Sequence, residues 1–219
     1  PSKKIINLGY PRNDQLFKPN ANDVNKCFSK VYENLKLNFI PKKIILYSPT
    51  WREVRKNYSP LKKIKKFRYN KFNEFLIKKK FLLLCTKHPN SQEHHDINFS
   101  NIKLITNYVF PSFDINMLLP KIDILITDYS TISTDFAILK KPQLFLLDDF
   151  DEYFLEESLI EDFRNILPGK EIKNYNMLIK ELSRTQQKLS NDVFLNKYYD
   201  TSNKNSREKH FKFLNKLMK

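Results

Sequence analysis

The sequence predicts an α/β protein in which a parallel sheet carries helices on both faces. Short apolar runs alternate along the chain with longer segments of helical periodicity. This alternation is typical of strand–helix–strand units, which form parallel sheets. Several of the short runs are apolar throughout, as strands are when helices cover both faces of a sheet. The predicted strands are Lys4 to Leu8, Lys43 to Tyr47, Phe81 to Thr86, Ile102 to Ile105, Ile122 to Thr127 and Gln143 to Leu147.

Helices are predicted between these strands and at the end of the chain. Apolar side chains recur at helical spacing from Asn22 to Leu37, and shorter helical patterns cover Phe72 to Lys79 and Ser130 to Lys140. From Tyr175 onward the pattern is helical. A sheet and helices in this alternation predict a Rossmann-like domain.

Composition limits the number of domains. With 219 residues, 41% of them hydrophobic, the chain can bury a core in one domain or two small ones, which excludes a disordered tail protein. We predict a Rossmann-like domain in residues 1–190 and, in residues 191–219, a helical tail that packs on it or on a neighbouring domain. Cys27 and Cys85 fit neither a zinc spacing nor a disulfide framework, so buried, reduced thiols and a cytosolic location are expected.

The net positive charge of the chain favours anionic partners. The chain has 39 Lys and Arg against 24 Asp and Glu, a formal net charge of +15, which suits nucleotides, nucleic acids, acidic polymers or an anionic membrane. Apolar runs such as Ile122 to Ile126 are much shorter than the roughly 20 residues that cross a bilayer. No apolar signal-peptide region follows Pro1, and the absence of an initiating Met suggests a fragment.

Polar clusters follow the predicted strands at their carboxyl ends, where open parallel sheets bind ligands. One such cluster is Asp128-Tyr129-Ser130-Thr131, at the start of a predicted helix. Backbone N–H groups at a helix start, together with the hydroxyls of Ser130 and Thr131, can bind phosphate without glycine. The alternative is that one hydroxyl only caps the helix, and the spacing does not choose between the two.

A second cluster, Thr86 to Asn90, follows another predicted strand. His88 can donate to a phosphate oxygen or act as an acid or base near neutral pH. Pro89 would hold His88 extended and orient its side chain. A lone histidine is also common in structural roles, so this cluster alone is weak evidence for catalysis.

A third cluster combines a hydroxyl, an indole and a guanidinium in Thr50, Trp51 and Arg52. Arg52 suits bidentate contact with phosphate, and Trp51 either stacks on a base or anchors the core beneath the loop. The fourth cluster, Gly9 to Asp14, contains Arg12, and its glycine permits close approach of the backbone. Its alternative is an ordinary turn with Asp14 facing solvent.

In this order the four clusters resemble the CDP-glycerol glycerophosphotransferases, a family that includes teichoic-acid and capsule polymerases. The likeness covers about residues 5–185. Thr131 stands where a second Ser is frequent, and Asp148-Asp149 opens a variant of the acidic segment after the last strand. The matching segments are Gly9 to Asp14, Ser48 to Arg52, Lys87 to Pro89, Asp123 to Thr131, Asp135 to Ala137 and Lys141-Pro142.

The resemblance implies a two-domain GT-B enzyme in which this chain is the C-terminal, nucleotide-binding domain and an N-terminal acceptor domain is missing. It implies transfer of a glycerol-phosphate or related phospho-alditol unit from a CDP-linked donor to a polymer or lipid-linked acceptor. No metal or other cofactor is expected. The protein would be cytoplasmic and peripheral at the inner face of the membrane, where a basic surface can meet anionic lipid.

The resemblance also implies roles for individual residues. His88 would be catalytic, by donating to the phosphate or protonating the leaving group. Asp128 would hydrogen-bond a ribose hydroxyl or orient its loop. Charge on the pyrophosphate would be stabilised at a nucleotide and phosphate site that contains Ser130, Thr131, Asp128, Arg12, Arg52, Thr50 and Pro89.

Two alternatives stay open. The first is a GT-B glycosyltransferase that uses a CMP- or UDP-sugar, because a His-Pro motif and a Ser/Thr pair also occur in CMP-sialic-acid enzymes. The second is a basic nucleic-acid-binding module, which the +15 charge and the run from Lys62 to Lys66 suggest. That run lacks a recognised base-reading motif, so no nucleic-acid partner is expected.

Overall fold

The sheet determines where the site lies. The computed structural model describes residues 6–53, 55, 58–86, 99–105, 114–157, 163–184, 192–198 and 205–218. In these residues six strands form one sheet of order β3-β2-β1-β4-β5-β6, and every pairing is parallel. This is the Rossmann order, which confirms the predicted α/β fold. The strands are β1 (Lys43–Ser48), β2 (Phe81–Thr86), β3 (Ile102–Ile105), β4 (Ile124–Thr127), β5 (Gln143–Phe145) and β6 (Lys170–Glu171).

Helices connect the strands and follow the sheet. Short 3-10 turns cover Pro11–Asn13, Leu119–Lys121 and Phe163–Ile166. The described α-helices are α1 (Asp14–Phe17), α2 (Ala21–Asn34), α3 (Pro60–Lys63), α4 (Tyr69–Lys79), α5 (Ile115–Leu118), α6 (Ile132–Ala137), α7 (Phe150–Glu157), α8 (Tyr175–Ser183), α9 (Asp192–Tyr198) and α10 (Ser206–Leu217).

The two faces of the sheet bury separate apolar clusters. Ile45 and Tyr47 of β1 lie in one cluster, with side chains of α4 and α8. Ile44 and Leu46 point the other way, into a cluster with Val31 of α2 and side chains of α6. Alternate residues of a strand point to opposite faces, so both faces of β1 are covered by helices. This explains why the strand is apolar throughout.

The bounds of β2 and β3 agree with the prediction residue for residue, but the predicted strand Lys4 to Leu8 is wrong. Residues 6–8 form no strand, and residues 4 and 5 lie outside the described residues. Ile6 is exposed, and the side chain of Asn7 accepts a hydrogen bond from the backbone of Gly9, so this segment turns instead of pairing. Strand β6 was not predicted, because its two residues contain no apolar run.

Two other features bear on the predictions. Cys85 is buried and Cys27 is half-buried, and both are free thiols. The helix predicted for Ser130 to Lys140 is shorter, since α6 ends at Ala137 and Lys140 adopts a left-handed conformation with φ of 54°. Across the described ranges, no helix has both the length and the apolar character that a membrane span needs.

Candidate functional site

The candidate site lies at the carboxyl ends of β1 and β4. The chain moves from β1 outward to β3 and then returns to β4 on the opposite side of β1, so the loops after these two strands diverge. Ligands of open α/β sheets bind in the crevice at this switch point. Ser48 and Thr127 are register partners there, and the Thr127 hydroxyl donates to the Ser48 carbonyl at 2.6 Å. On the other side of β1, the Thr86 hydroxyl donates to Ser48 Oγ at 2.9 Å.

The loop after β1 is attached to the loop after β4 through Asp128. This carboxylate is fully buried, and it accepts hydrogen bonds from the Thr50 backbone N–H and from Arg52 Nη1, both at 2.8 Å. Complete burial raises the pKa of Asp128, and the Arg52 guanidinium opposes that rise. Because a guanidinium stays protonated in proteins, the contact is a buried ion pair. Asp128 therefore joins the loops after β1 and β4, and the two roles that the sequence suggested for it, contact with a ribose hydroxyl and orientation of its loop, both stay predictions.

Arg52 is buried among protein acceptors. In addition to Asp128, it donates from Nη1 to the Thr50 carbonyl at 2.7 Å, and from Nε and Nη2 to Asp149 at 3.1 and 3.2 Å. Burial lowers the pKa of Arg52, but the carboxylates of Asp128 and Asp149 raise it above its ordinary value. A direct contact between Arg52 and phosphate stays a prediction, and the observed contacts favour a role in holding the loops together.

Three tyrosine rings surround this guanidinium. Its central carbon lies 5.0 Å from the ring centroid of Tyr58, 5.2 Å from that of Tyr129 and 4.6 Å from that of Tyr153. The rings of Tyr129 and Tyr153 stack with centroids 4.0 Å apart, and the Tyr129 hydroxyl donates to Asp149 at 3.1 Å. Burial and the charge of Asp149 raise the pKa of Tyr129, so this hydroxyl remains a donor.

Ser130 and Thr131 precede α6 and are not used to cap it. Ser130 is half-buried and Thr131 is exposed, and Thr131 occupies the cap position without a side-chain cap bond. Neither hydroxyl makes a hydrogen bond within the described part of the chain, so the capping alternative is not what the structure shows. Both hydroxyls are open to a ligand, and phosphate binding by them stays a prediction.

The cluster Gly9 to Asp14 contacts α6 as well as the end of the chain. Arg12, whose side chain is 57% exposed, forms an ion pair with Asp135 at 3.0 Å, and Asn13 donates to the same carboxylate at 3.0 Å. Asp135 belongs to the helix that directly follows Ser130 and Thr131. The alternative in which Asp14 faces solvent is wrong, because its carboxylate accepts two backbone hydrogen bonds at the start of α10.

The second cluster cannot be placed in the same way. β2 ends at Thr86, and both His88 and Pro89 lie outside the described residues, so their roles stay predictions. Trp51 is half-buried, which leaves both of its proposed roles open. The Thr50 hydroxyl is buried in the loop after β1.

No role was predicted for Asp149, the carboxylate that accepts hydrogen bonds from Arg52 and Tyr129. A signal was present, since Asp148 and Asp149 follow β5 at its carboxyl end, as the other polar clusters follow their strands. No group of three or more His, Cys, Asp or Glu side chains with the arrangement of a metal site occurs among the residues that the structure describes.

The chain is similar to curated proteins over almost its whole length. The chain is 29% identical over 217 residues to the teichoic acid glycerol-phosphate primase of Bacillus subtilis (strain 168), and the match covers 98% of this chain and 52% of that protein. It is 31% identical over 209 residues to a teichoic acid poly(glycerol phosphate) polymerase of Bacillus spizizenii, covering 90% of this chain and 49% of that protein. The chain thus spans about half the length of these curated relatives.

A solved structure and a family model complete the comparison. The wall teichoic acid polymerase TagF superposes with a TM-score of 0.69 at 25% identity, over 94% of this chain and 50% of that one. The family model described as CDP-Glycerol:Poly(glycerophosphate) glycerophosphotransferase matches residues 1–216. Since that match covers nearly the whole chain, the protein belongs to the CDP-glycerol:poly(glycerophosphate) glycerophosphotransferase family.

Proposed function

We propose that this chain is the donor-binding domain of a GT-B type transferase. The enzyme would move a glycerol-phosphate or related phospho-alditol unit from a CDP-linked donor to a polymer or lipid-linked acceptor in teichoic-acid or capsule synthesis. Family membership supports the reaction. The relatives include both glycerol-phosphate and ribitol-phosphate polymerases, so the proposal names the class of alditol and not one member.

One observation carries the placement of the donor. The bond from the Thr50 N–H to Asp128 holds the loops after β1 and β4 together at the switch point of the sheet. Ser130 is two residues beyond Asp128, so we expect its hydroxyl to face the crevice between these loops. Crevices at this position bind nucleotides in doubly wound sheets.

The proposed reaction is a displacement at phosphorus. An acceptor hydroxyl attacks the distal phosphorus of the CDP-alditol, a new P–O bond forms, and the bond to the CMP oxygen breaks. Negative charge increases on the leaving CMP, so hydrogen-bond donors placed at the pyrophosphate lower the barrier. Ser130 and Thr131 supply hydroxyl donors, and His88 donates a hydrogen bond or a proton to the leaving phosphate. The exposed guanidinium of Arg12 adds positive charge at the rim.

We assign binding of the acceptor to the part of the longer relatives that this chain does not span. The group that removes the proton from the acceptor hydroxyl would belong to that part. We further propose that the protein lies at the cytoplasmic face of the membrane, held there by its net charge of +15. Absence of binding to anionic liposomes at moderate salt would remove the membrane part of the proposal.

Calorimetric titration with CMP, CDP, CDP-glycerol and UDP tests the donor site. We expect cytidine-selective binding that Ser130→Ala and His88→Ala each weaken by about tenfold or more, as expected for lost hydrogen bonds to a charged group. Ser29→Ala, on the exposed face of α2, is the matched control and should leave the affinity unchanged.

Two outcomes would contradict the proposal. A folded chain that binds none of these nucleotides would remove the donor site. Tighter binding of a CMP- or UDP-sugar than of CDP-glycerol would instead favour the sugar-transferase alternative.

A further inference from the structure

Asp149 is a buried carboxylate at the centre of the candidate site. It is 3% exposed and follows β5, at the same edge of the sheet as the loops after β1 and β4. Its two oxygens accept hydrogen bonds from Arg52 Nε at 3.1 Å, Arg52 Nη2 at 3.2 Å and the Tyr129 hydroxyl at 3.1 Å, and Arg55 Nη2 forms an ion pair with it at 3.1 Å. All of these donors come from the two loops that form the crevice.

Arg52 extends these contacts to the other carboxylate. It pairs with Asp128 at 2.8 Å while its Nε–Nη2 edge faces Asp149. A single guanidinium therefore joins the loops that follow β1, β4 and β5. The planar guanidinium group has N–H donors in fixed directions, so it can bridge two carboxylates in this way, whereas a lysine ammonium cannot.

The same contacts determine the positions of the proposed phosphate-binding residues. The backbone of Thr50 is held on both sides, because its N–H donates to Asp128 and its carbonyl accepts from Arg52. Tyr129 is held at its hydroxyl by Asp149 and at its ring by Tyr153. Ser130 follows Tyr129 directly, so its backbone is placed by these contacts.

The charge of Asp149 needs an explanation at a site for an anionic donor. A carboxylate beside a pyrophosphate repels it, and burying the carboxylate adds a desolvation cost. We propose that Asp149, acting through Arg52 and Tyr129, is a positioning residue that fixes the loops after β1 and β4 in the geometry that binds the donor pyrophosphate, without touching the donor. This inference rests on the proposed function and adds a required residue to its site.

The direction in which one substitution changes the affinity for CDP tests the inference. Asp149→Asn removes a negative charge, so electrostatics alone predicts tighter binding of CDP. The positioning role predicts the opposite, a loss of about tenfold or more in CDP affinity, with a smaller loss for CMP, which has one phosphate fewer. A purely structural defect would reduce the binding-competent fraction and would leave the ratio of CDP to CMP affinity unchanged.

Asp151→Asn is the charge-matched control. Asp151 is exposed in the first turn of α7, two residues beyond Asp149. The same change of charge at this position should leave CDP affinity unchanged or slightly higher. The comparison therefore separates the loss of positioning from the loss of a charge.

A milder variant decides the question if Asp149→Asn fails to fold. Tyr129→Phe keeps the ring stacked on Tyr153 and removes the hydroxyl that donates to Asp149. It should weaken the binding of CDP by about threefold to tenfold, again more than the binding of CMP. Absence of CDP binding by the unmodified chain would overturn the proposed function together with this inference. If the unmodified chain binds CDP and these variants bind it equally well or more tightly, the positioning role alone is overturned.

Discussion

The carboxylate of Asp14 accepts hydrogen bonds from the backbone N–H groups of Ser206 at 2.8 Å and Arg207 at 2.9 Å, across 192 and 193 residues of sequence. Asn205, the residue before α10, has a left-handed φ of 70° and makes no side-chain cap bond. The cap of α10 is therefore supplied from the other end of the domain. Arg207 reinforces the contact by donating from Nε to the Pro11 carbonyl at 3.2 Å.

Replacing this cap should loosen α10. We expect Asp14→Ala to lower the free energy of unfolding by about 1 kcal/mol, because two N–H groups lose their acceptor and the positive end of the helix dipole loses a nearby charge. Hydrogen exchange at Ser206 and Arg207 should become faster than in the unmodified chain. Asp23→Ala, in the first turn of α2, is the control, and equal exchange in α10 for the two variants would contradict the prediction.

Removing Asp135 and removing Arg12, the two partners of one ion pair, should lower the stability by different amounts. Asp135 is buried and also accepts from Asn13, so Asp135→Ala should lower the free energy of unfolding by about 1–3 kcal/mol. Arg12 is more than half exposed, so Arg12→Ala should cost less than about 1 kcal/mol. Urea unfolding measures both changes. Equal losses from the two variants would show that the ion pair, and not burial of the carboxylate, determines the effect.

Gly169 should tolerate no side chain. A Cβ atom at this position would lie 2.3 Å from the backbone oxygen of Gln143, at the edge where β6 meets β5. Gly169→Ala should therefore push these strands apart and lower the free energy of unfolding by about 1–3 kcal/mol. Thermal unfolding compares it with Gly9→Ala, where the cost comes from a φ of 79°, in the left-handed region that favours glycine. A Gly169→Ala protein as stable as the unmodified chain would contradict this close approach.

Glu181 should make stability depend on acid pH. Burial raises its pKa, but hydrogen bonds from Lys170 at 2.8 Å and from Arg184 at 3.1 Å outweigh burial and lower the pKa below 4.5. A lowered carboxyl pKa stabilises the folded state above the unfolded value, and this stabilisation disappears as the pH falls through the folded value.

A comparison with Glu181→Gln isolates this contribution. The unmodified chain should be more stable than the variant near neutral pH, and the difference in unfolding free energy should shrink as the pH falls below 4.5. Glu33→Gln, on the exposed face of α2, controls for net charge. A difference that stays constant with pH would contradict the prediction.

Local patterns predicted the longer strands better than the two-residue strand at the β6 edge. The bounds of β2 follow from a run of apolar residues that is buried on both faces, and those of β3 follow from a four-residue run that is apolar except for Lys103. Such runs are visible in a short window of sequence. β6 has two residues and exists because Lys170 and Glu171 pair with β5, a contact that no local pattern encodes. The predicted strand at Lys4 to Leu8 failed because residues 6–8 form no strand and the side chain of Asn7 accepts a hydrogen bond from the backbone of Gly9.

The sequence by itself determined the family, the α/β class and the position of the polar clusters at the carboxyl ends of β1, β2 and β4. These features depend on residue order and short-range periodicity. Only the tertiary structure decided that Arg52 pairs with Asp128 and Asp149, 76 and 97 residues away, and that Asp14 caps α10. A buried charge is stabilised by whichever opposite charge the fold brings within hydrogen-bond distance, and that choice is made by three-dimensional packing.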